Sequence, residues 1–252
     1  MPKKLFIFIL IITIQFSCSS KKSILYLQDA NNETYSEVGH YNTNIQPNDI
    51  LKITIGASVP EAAIPYNKSK ALAASSVETL KLEGYLVSEK HTIKLPVIGT
   101  ISVKNKSLEQ LEEIIKNKLL TDSHLENPIV DVRLLNSKVT ILGEVNNPGT
   151  YDFSEKSITL FQALGYAGDL TINGKRNDVL VIREKNGIRH IANIDLTATN
   201  LLNTPYYTIQ KNDVVYVKPN TAKVKSAGYI NNFGTVLSVT SILISTIVLL
   251  AR

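Results

Sequence analysis

Tryptophan is absent from the 252 residues, cysteine and methionine occur once each, and histidine four times. A single cysteine excludes a disulfide framework and any Cys-based zinc site. The four histidines, His40, His91, His124 and His190, are dispersed, and no pair of them has metal-ligand spacing. His124-Leu125-Glu126 reads as a polar loop beside a turn. There is no G-x-S-x-G elbow, no P-loop and no G-x-G-x-x-G. The paired glycines Gly165 and Gly168 punctuate a helix end and do not build a phosphate cradle. The expectation is therefore a non-enzyme with no catalytic residues, no metal and no cofactor. Charge of one sign is also missing. Lys and Arg number 27 against 22 Asp and Glu, a net of +5. The cations come in short pairs such as Lys21–Lys22 and Lys116/Lys118. That pattern makes solvated faces rather than a nucleic-acid footprint, so no nucleic-acid partner is expected.

What is present begins at the two ends. Lys3 and Lys4 precede an apolar run from Leu5 to Phe16, too short to span a bilayer and right for a signal h-region. Ser17 and then Cys18 follow, so residues 1–17 are read as a signal peptide and Cys18 as the lipidated first residue of the mature protein. Gln15 stands where an aliphatic residue is usual in such a cleavage site. The alternative is an ordinary cleavage site beside a free, buried cysteine. Residues 18–43, rich in Asn, Ser and Lys, read as a tether with a short ordered patch at Ile24-Leu25-Tyr26-Leu27.

Near the other end, Thr235 to Ala251 holds no charge: 11 of its 17 residues are apolar and the other six are Ser or Thr. As a helix it would be about 26 Å long, close to the thickness of a thin bilayer. At 100° per residue Thr235, Ser238, Ser241 and Ser245 gather mainly on one side, and Val236, Val239, Leu243, Ile247 and Leu250 on another. Thr240 breaks the pattern, and Ile242 and Leu249 intrude on the hydroxyl stripe. The expectation is a membrane helix within 221–252. Its hydroxyl stripe would line a pore and its apolar stripe would meet lipid. A tail anchor or a buried core helix are the alternatives.

The middle is an α+β pattern in two units, 44–136 and 137–220. Ile45-Gln46-Pro47-Asn48-Asp49 turns into the alternating run Ile50 to Ile55. A similar turn, Ile209-Gln210-Lys211-Asn212-Asp213, returns 164 residues later before Val214 to Val217. Pro60 to Ser76 reads as a surface loop with room for a helical turn. Strands are expected at Gly84–Val87, Thr92–Leu95 and Val97–Val103. A helix opens at Ser107-Leu108-Glu109-Gln110, a capping-box sequence, and another strand runs from Ile129 to Leu135. In the second unit a strand at Val139–Val145 turns at Asn146-Asn147-Pro148-Gly149 and returns through Phe153. A short helix spans Thr159–Ala167, and strands at Val179–Arg183 and Ile188–Ile191 flank a Lys185-Asn186-Gly187 hairpin. These elements make a compact β-grasp-like unit.

Two of these stretches carry a resemblance. Glu83-Gly84-Tyr85 through Leu119, with Leu-Pro-Val-Ile-Gly at 95–99 and Ser-Leu-Glu-Gln-Leu at 107–111, resembles the polysaccharide-export domain. Val139-x-Ile-Leu-Gly-Glu-Val-x-x-Pro-Gly-x-Tyr, with Leu160-Phe161-Gln162-Ala163-Leu164 and Ala167-Gly168-Asp169-Leu170, resembles the soluble-ligand-binding β-grasp (SLBB) domain that follows it. With a lipobox in front and one helix behind, the chain looks like a Wza-type outer-membrane polysaccharide export lipoprotein. Only one β-grasp unit follows the export domain, where longer members have more. The resemblance implies a homo-oligomeric ring, often an octamer, in the outer membrane, lipid-anchored with its main body in the periplasm. It implies C-terminal helices assembled into a pore, capsular or exopolysaccharide as cargo, and an inner-membrane co-polymerase, often a tyrosine kinase, as partner.

The rival is a membrane-anchored periplasmic glycan-binding module without transport. Some of the eleven tyrosines would then act as stacking platforms, Tyr206-Tyr207 first among them. The lack of Trp disfavours tight sugar stacking.

Overall fold

The structure is a computed structural model that describes residues 24–30, 44–68, 81–185, 187–226 and 233–250. Its elements fall into two units of mixed α and β structure, each with its own core.

In the first unit, β1 (Ile50–Gly56) lies between β2 (Tyr85–Leu86) and β5 (Ile129–Leu134), antiparallel to both. Alternation puts Leu51, Ile53 and Ile55 inward and leaves Lys52 and Thr54 exposed. After a short helix α1 (Pro60–Ala63), a 3-10 turn covers Ile64–Tyr66. A hairpin of β3 (Thr92–Leu95) and β4 (Gly99–Ser102) precedes helix α2 (Leu108–Thr121). The capping box forms as the sequence predicts. Ser107 Oγ accepts from the Gln110 N–H at 3.2 Å, and the Gln110 side chain accepts from the Ser107 N–H at 3.0 Å. Leu111, Ile115 and Leu119 of α2 are fully buried against the β1 face.

One expectation is corrected here. The run Val97–Val103 is not a strand throughout: Val97 has φ 61°, so the chain turns there and β4 starts only at Gly99. Pro60–Tyr66 supplies the helical turn for which the loop had room, with Pro60 in the first turn, where its missing N–H costs nothing. Residues 69–76 of that stretch lie outside the described residues.

In the second unit, five strands lie in the order β10-β9-β12-β6-β7. They are β6 (Lys138–Gly143), β7 (Gly149–Asp152), β9 (Gly174–Lys185), β10 (Ile188–Ile194) and β12 (Val214–Pro219). The first and last, β6 and β12, run parallel at the centre, and the other neighbours are antiparallel. A minor pair, β8 (Ile158–Thr159) with β11 (Thr208–Ile209), leads into helix α3 (Leu160–Tyr166). Thr159 and Gln162 cap α3 with a second capping box. Leu160 and Leu164 bury themselves with Val139, Ile141, Val179, Val181, Val215 and Val217. This is the β-grasp-like arrangement expected. β9 is longer than the Val179–Arg183 stretch expected for it, because its polar first half pairs beyond Val217 to Pro219 across a register shift. At the close of β6, Gly143 has φ +91°, and a Cβ there would stand 2.0 Å from the Val217 carbonyl oxygen.

Residues 24–30 do not belong with the first unit. The Leu27 N–H donates to the Leu196 carbonyl at 3.1 Å and the Gln28 N–H to Thr197 at 2.7 Å, so this strap lies on the second unit. The first unit is thereby inserted between the strap and the rest of the second. After β12 come α4 (Thr221–Ser226) and α5 (Phe233–Leu250).

Candidate functional site

Two places carry the chemistry: the seam between the units and helix α5. The seam is built from the repeated turn. In the first copy the Asp49 carboxylate accepts from the Gln46 N–H at 2.7 Å; in the second, Asp213 accepts from the Gln210 N–H at 2.8 Å. Asn48 and Asn212 take φ of 67° and 64°, the left-handed conformation that Asn tolerates. Both aspartates are buried, at 3% and 1% exposure, so each needs a cation. Asp213 finds Arg183, whose Nε donates at 3.0 Å and Nη2 at 2.6 Å. Asp49 finds Lys211, which belongs to the second turn, and Lys211 Nζ also donates to the Asn44 carbonyl at 3.3 Å. Burial pushes the Asp49 carboxyl up and the Lys211 ammonium down, and the attraction between them opposes both shifts. Asp213 is likewise pushed up by burial, against the pull of Arg183.

Two more ion pairs cross the seam. Lys156 is bonded to Glu109 of α2, and Lys81 Nζ lies 3.0 Å from Asp152 Oδ2. Beside the Lys156–Glu109 and Lys211–Asp49 pairs opens a cleft of about 570 Å³, lined among others by Glu112, Asp131, Arg133, Glu155 and Tyr207. Glu112 Oε1 accepts the Val132 N–H at 2.9 Å, which satisfies a backbone donor on β5. Carboxylates, cations, hydroxyls and one phenol could hydrogen-bond a polyol here. Among the described residues no group of His, Cys, Asp and Glu could hold a metal ion. His124 instead packs edge-on against Tyr66, ring centroids 5.6 Å apart.

Helix α5 begins two residues before the sequence expectation. Ser238, Ser241 and Ser245 lie on it and are exposed, as are Val239 and Leu243 on the other side. Thr235, Val236, Ile247 and Leu250 lie on its backbone, with side chains outside the described set. Every side chain from Leu237 to Thr246 is exposed. The hydroxyls bond back to their own helix: Ser238 donates to the Gly234 carbonyl at 2.7 Å, Ser241 to Ser238 at 2.9 Å and Ser245 to Ile242 at 2.9 Å. Their donors are therefore satisfied with or without water. Among the described residues no helix is long and apolar enough to cross a membrane. Cys18 lies outside the described residues.

Of the two tempting tyrosines, Tyr206 sits on the Arg183 guanidinium at 5.1 Å, and Tyr207 packs edge-on to Phe161 at 6.0 Å. The sequence reading missed the seam. Its only signal was the repeated turn, whose odd residue is Pro47 in one copy and the bridging Lys211 in the other.

Residues 38–135 match the polysaccharide biosynthesis/export protein family and residues 137–217 match the SLBB domain. The chain is 27% identical over 182 residues to the capsule polysaccharide export outer membrane protein CtrA of Neisseria meningitidis serogroup A, covering 71% of this chain and 45% of CtrA. It is 26% identical over 198 residues to the EPS I polysaccharide export outer membrane protein EpsA of Ralstonia solanacearum, covering 75% of this chain and 51% of EpsA. The chain thus spans about half the length of these curated relatives.

Proposed function

The chain belongs to the polysaccharide export proteins, its export domain and SLBB domain standing in that order, and from this we propose that it is a subunit of an outer-membrane conduit for capsular or exopolysaccharide. The observation that carries the proposal is the union of this domain pair with α5, an apolar helix whose described side chains are exposed. One helix satisfies its own backbone but encloses no water, so a conduit requires several copies in a ring. At 18 residues α5 is about 27 Å long, short of the roughly 30 Å of an average hydrocarbon core. The bacterial outer membrane is thinner than average, which suits a short span. Six hydroxyl residues lower the hydrophobicity of Thr235–Ala251 and favour its passage through the inner membrane during export. Cys18, as a lipidated residue, would supply a second attachment, with the body in the periplasm. An inner-membrane co-polymerase, often a tyrosine kinase, would hand over the cargo.

The test is reconstitution of the full chain into planar bilayers, together with export in cells lacking residues 233–250. The conduit reading expects ion conductance from the full chain and none from the truncated one, with capsule or exopolysaccharide lost from the surface. A silent bilayer with normal export overturns it.

The cleft supports a second reading, a periplasmic glycan-binding module without transport, because it is ligand-sized and Tyr207 lines it. Saturable binding of the cell's own polysaccharide, lost in Tyr207→Ala and unaffected by loss of α5, would favour that reading.

A further inference from the structure

The sheet of the first unit ends on β5: the order is β2-β1-β5, and among the described residues no strand lies beyond it. Register fixes which of its backbone groups are left over. The Leu135 N–H donates to the Ile50 carbonyl at 2.8 Å, so the ladder to β1 runs through Leu135 and, by alternation, through Arg133, Asp131 and Ile129. The N–H and C=O groups of Val130, Val132 and Leu134 therefore point away from β1. Asp131, Val132, Arg133 and Leu134 line the cleft at the seam, so this edge opens on it. One side chain guards the edge. The Glu112 carboxylate accepts the Val132 N–H at 2.9 Å, in the manner of the charged groups that blunt exposed strands. On the cleft wall carboxylates outnumber cations five to three, and each cation is taken. Arg133 pairs with Asp131 at 3.0 Å, Lys156 with Glu109 and Lys211 with Asp49. Glu112 and Glu155 are left without an ion-pair partner among the described residues. Ser137 adds a buried polar group. It is 6% exposed and lines the cleft, and its hydroxyl has no partner among the described residues. A hydroxyl so enclosed calls for a hydrogen bond from whatever fills the cleft.

We propose that this cleft binds an extended, Lys- or Arg-bearing segment of another protein as an added strand on the edge of β5. The main chain selects a peptide. An extended peptide repeats its N–H and C=O groups with the same alternation as Val130, Val132 and Leu134, which is the basis of strand addition to a sheet edge. A sugar chain has no such repeat. Charge selects the side chains. An anion would meet cations already paired and two carboxylates without a cation, whereas a cationic side chain meets those carboxylates directly. The two selections are coupled through Glu112. A peptide carbonyl that takes the Val132 N–H displaces the Glu112 carboxylate, and the released carboxylate is then free to receive the cation of the same peptide. Ser137 supplies a further hydrogen bond from the wall. A cleft of about 570 Å³ is of ligand size, so it takes a short segment and not a folded domain. The inference does not depend on the conduit reading, and it gives the cleft a different occupant from the glycan of the second reading.

The experiment titrates the full chain in detergent with three end-blocked peptides, Lys-Val-Lys-Val-Lys, Glu-Val-Glu-Val-Glu and Lys-Pro-Lys-Pro-Lys, by calorimetry. The first should bind saturably, one per chain, and the second not at all. The third has the charge of the first but lacks two N–H donors, and should bind at least about tenfold more weakly. Glu112→Gln keeps an oxygen for the Val132 N–H, so the body should stay folded, and it should weaken the first peptide about tenfold, the scale of one hydrogen bond to a charged group. Ser137→Ala should weaken it about fivefold, the scale of a neutral one. Equal binding of the Lys-Val and Lys-Pro peptides, or no binding of either, overturns the proposal. So does a neutral oligosaccharide that binds in their place and is lost in Ser137→Ala. Independently of any variant, the bound peptide should slow amide exchange at Val130 and Leu134, which face the edge, and leave Arg133, already in the ladder, unchanged. In cells, a photo-reactive residue in place of Ser154 on the cleft wall should join a different protein through a segment carrying Lys or Arg. An adduct to a second copy of the chain, or none, overturns the proposal.

Discussion

Lys211 in the second Ile-Gln-x-Asn-Asp turn is bonded to the Asp49 carboxylate in the first, 162 residues away. Each turn buries its aspartate to hold its own Gln N–H, but only the second supplies a cation to the other. The pair is an internal cross-brace between the export and SLBB domains. Its side chains are only 5% and 4% exposed, so it gains little screening from water.

Removing one partner leaves an uncompensated charge indoors. Lys211→Met should cost about 3–5 kcal/mol, read by denaturant unfolding. Adding Asp49→Asn, which keeps an oxygen for the Gln46 N–H, should recover most of that loss. Equal loss in the single and double variants would mean that the two residues do not act as a unit.

The seam should also loosen in acid. The Lys156 ammonium bonded to Glu109 holds its carboxyl at about 2, against an ordinary 4.5. A depressed folded value gives a contribution present above pH 4.5 and lost as pH falls through about 2. Glu109 is 45% exposed, so global stability should move little. The sensitive readout is hydrogen exchange across residues 154–157, which should rise with acid in the wild type and be high at every pH in Glu109→Gln.

Gly143→Ala should cost at least about 2 kcal/mol, since it combines a positive φ with a Cβ driven into the Val217 carbonyl. Unfolding midpoints would measure it. Gly187→Ala, at φ +75° but with open space around its Cβ, should cost less.

Tyr26 pins the strap. Its hydroxyl donates to Asp169 at 2.5 Å, its ring meets Phe161 edge-on at 5.6 Å, and the Arg176 guanidinium lies 5.5 Å from it. Burial and the Asp169 carboxylate push the phenol well above its ordinary 10. Tyr26→Phe should speed amide exchange at Leu27 and Gln28 about tenfold, the scale of one lost hydrogen bond to a charged group. Tyr26→Ala should free both amides. Unchanged protection in Tyr26→Ala would show that the strap is held by its backbone alone.

Cysteine scanning of α5 with an impermeant thiol reagent separates a pore from an anchor. Labelling at 238, 241 and 245 with protection at 239 and 243 is the pore result; equal protection on both sides is the anchor result. Leu243→Arg should cost about 2.5–3.5 kcal/mol of insertion, and Ser241→Arg less if a water-filled lumen solvates the charge.

Local rules carried much of this fold. Ser107 and Gln110 announce α2 because a capping box is written within four residues. Asn186-Gly187 announces the β9–β10 hairpin for the same reason. What escaped was long-range. Nothing near Lys211 says that its partner lies 162 positions earlier. The polar half of β9, Gly174 to Asp178, reads as loop because its strand character comes from pairing with Pro219 across the sheet. The apolar stripe of α5 was legible, but the back-bonding of its hydroxyls, which frees them from needing water, depends on rotamers that sequence does not encode.

The strap on the SLBB domain has a mechanical meaning. Residues 24–30 lie on that domain, and α5 leaves from it, so both proposed membrane attachments pull on one body. The export domain is looped out of that body, held by the two chain crossings and by three ion pairs across the seam. A thrust from cargo or from a partner below would be borne first by that seam and only afterwards by the membrane anchors. The Lys211–Asp49 brace is buried while the Glu109–Lys156 and Lys81–Asp152 pairs are more open to water, so under such a load the outer pairs would yield before the buried one.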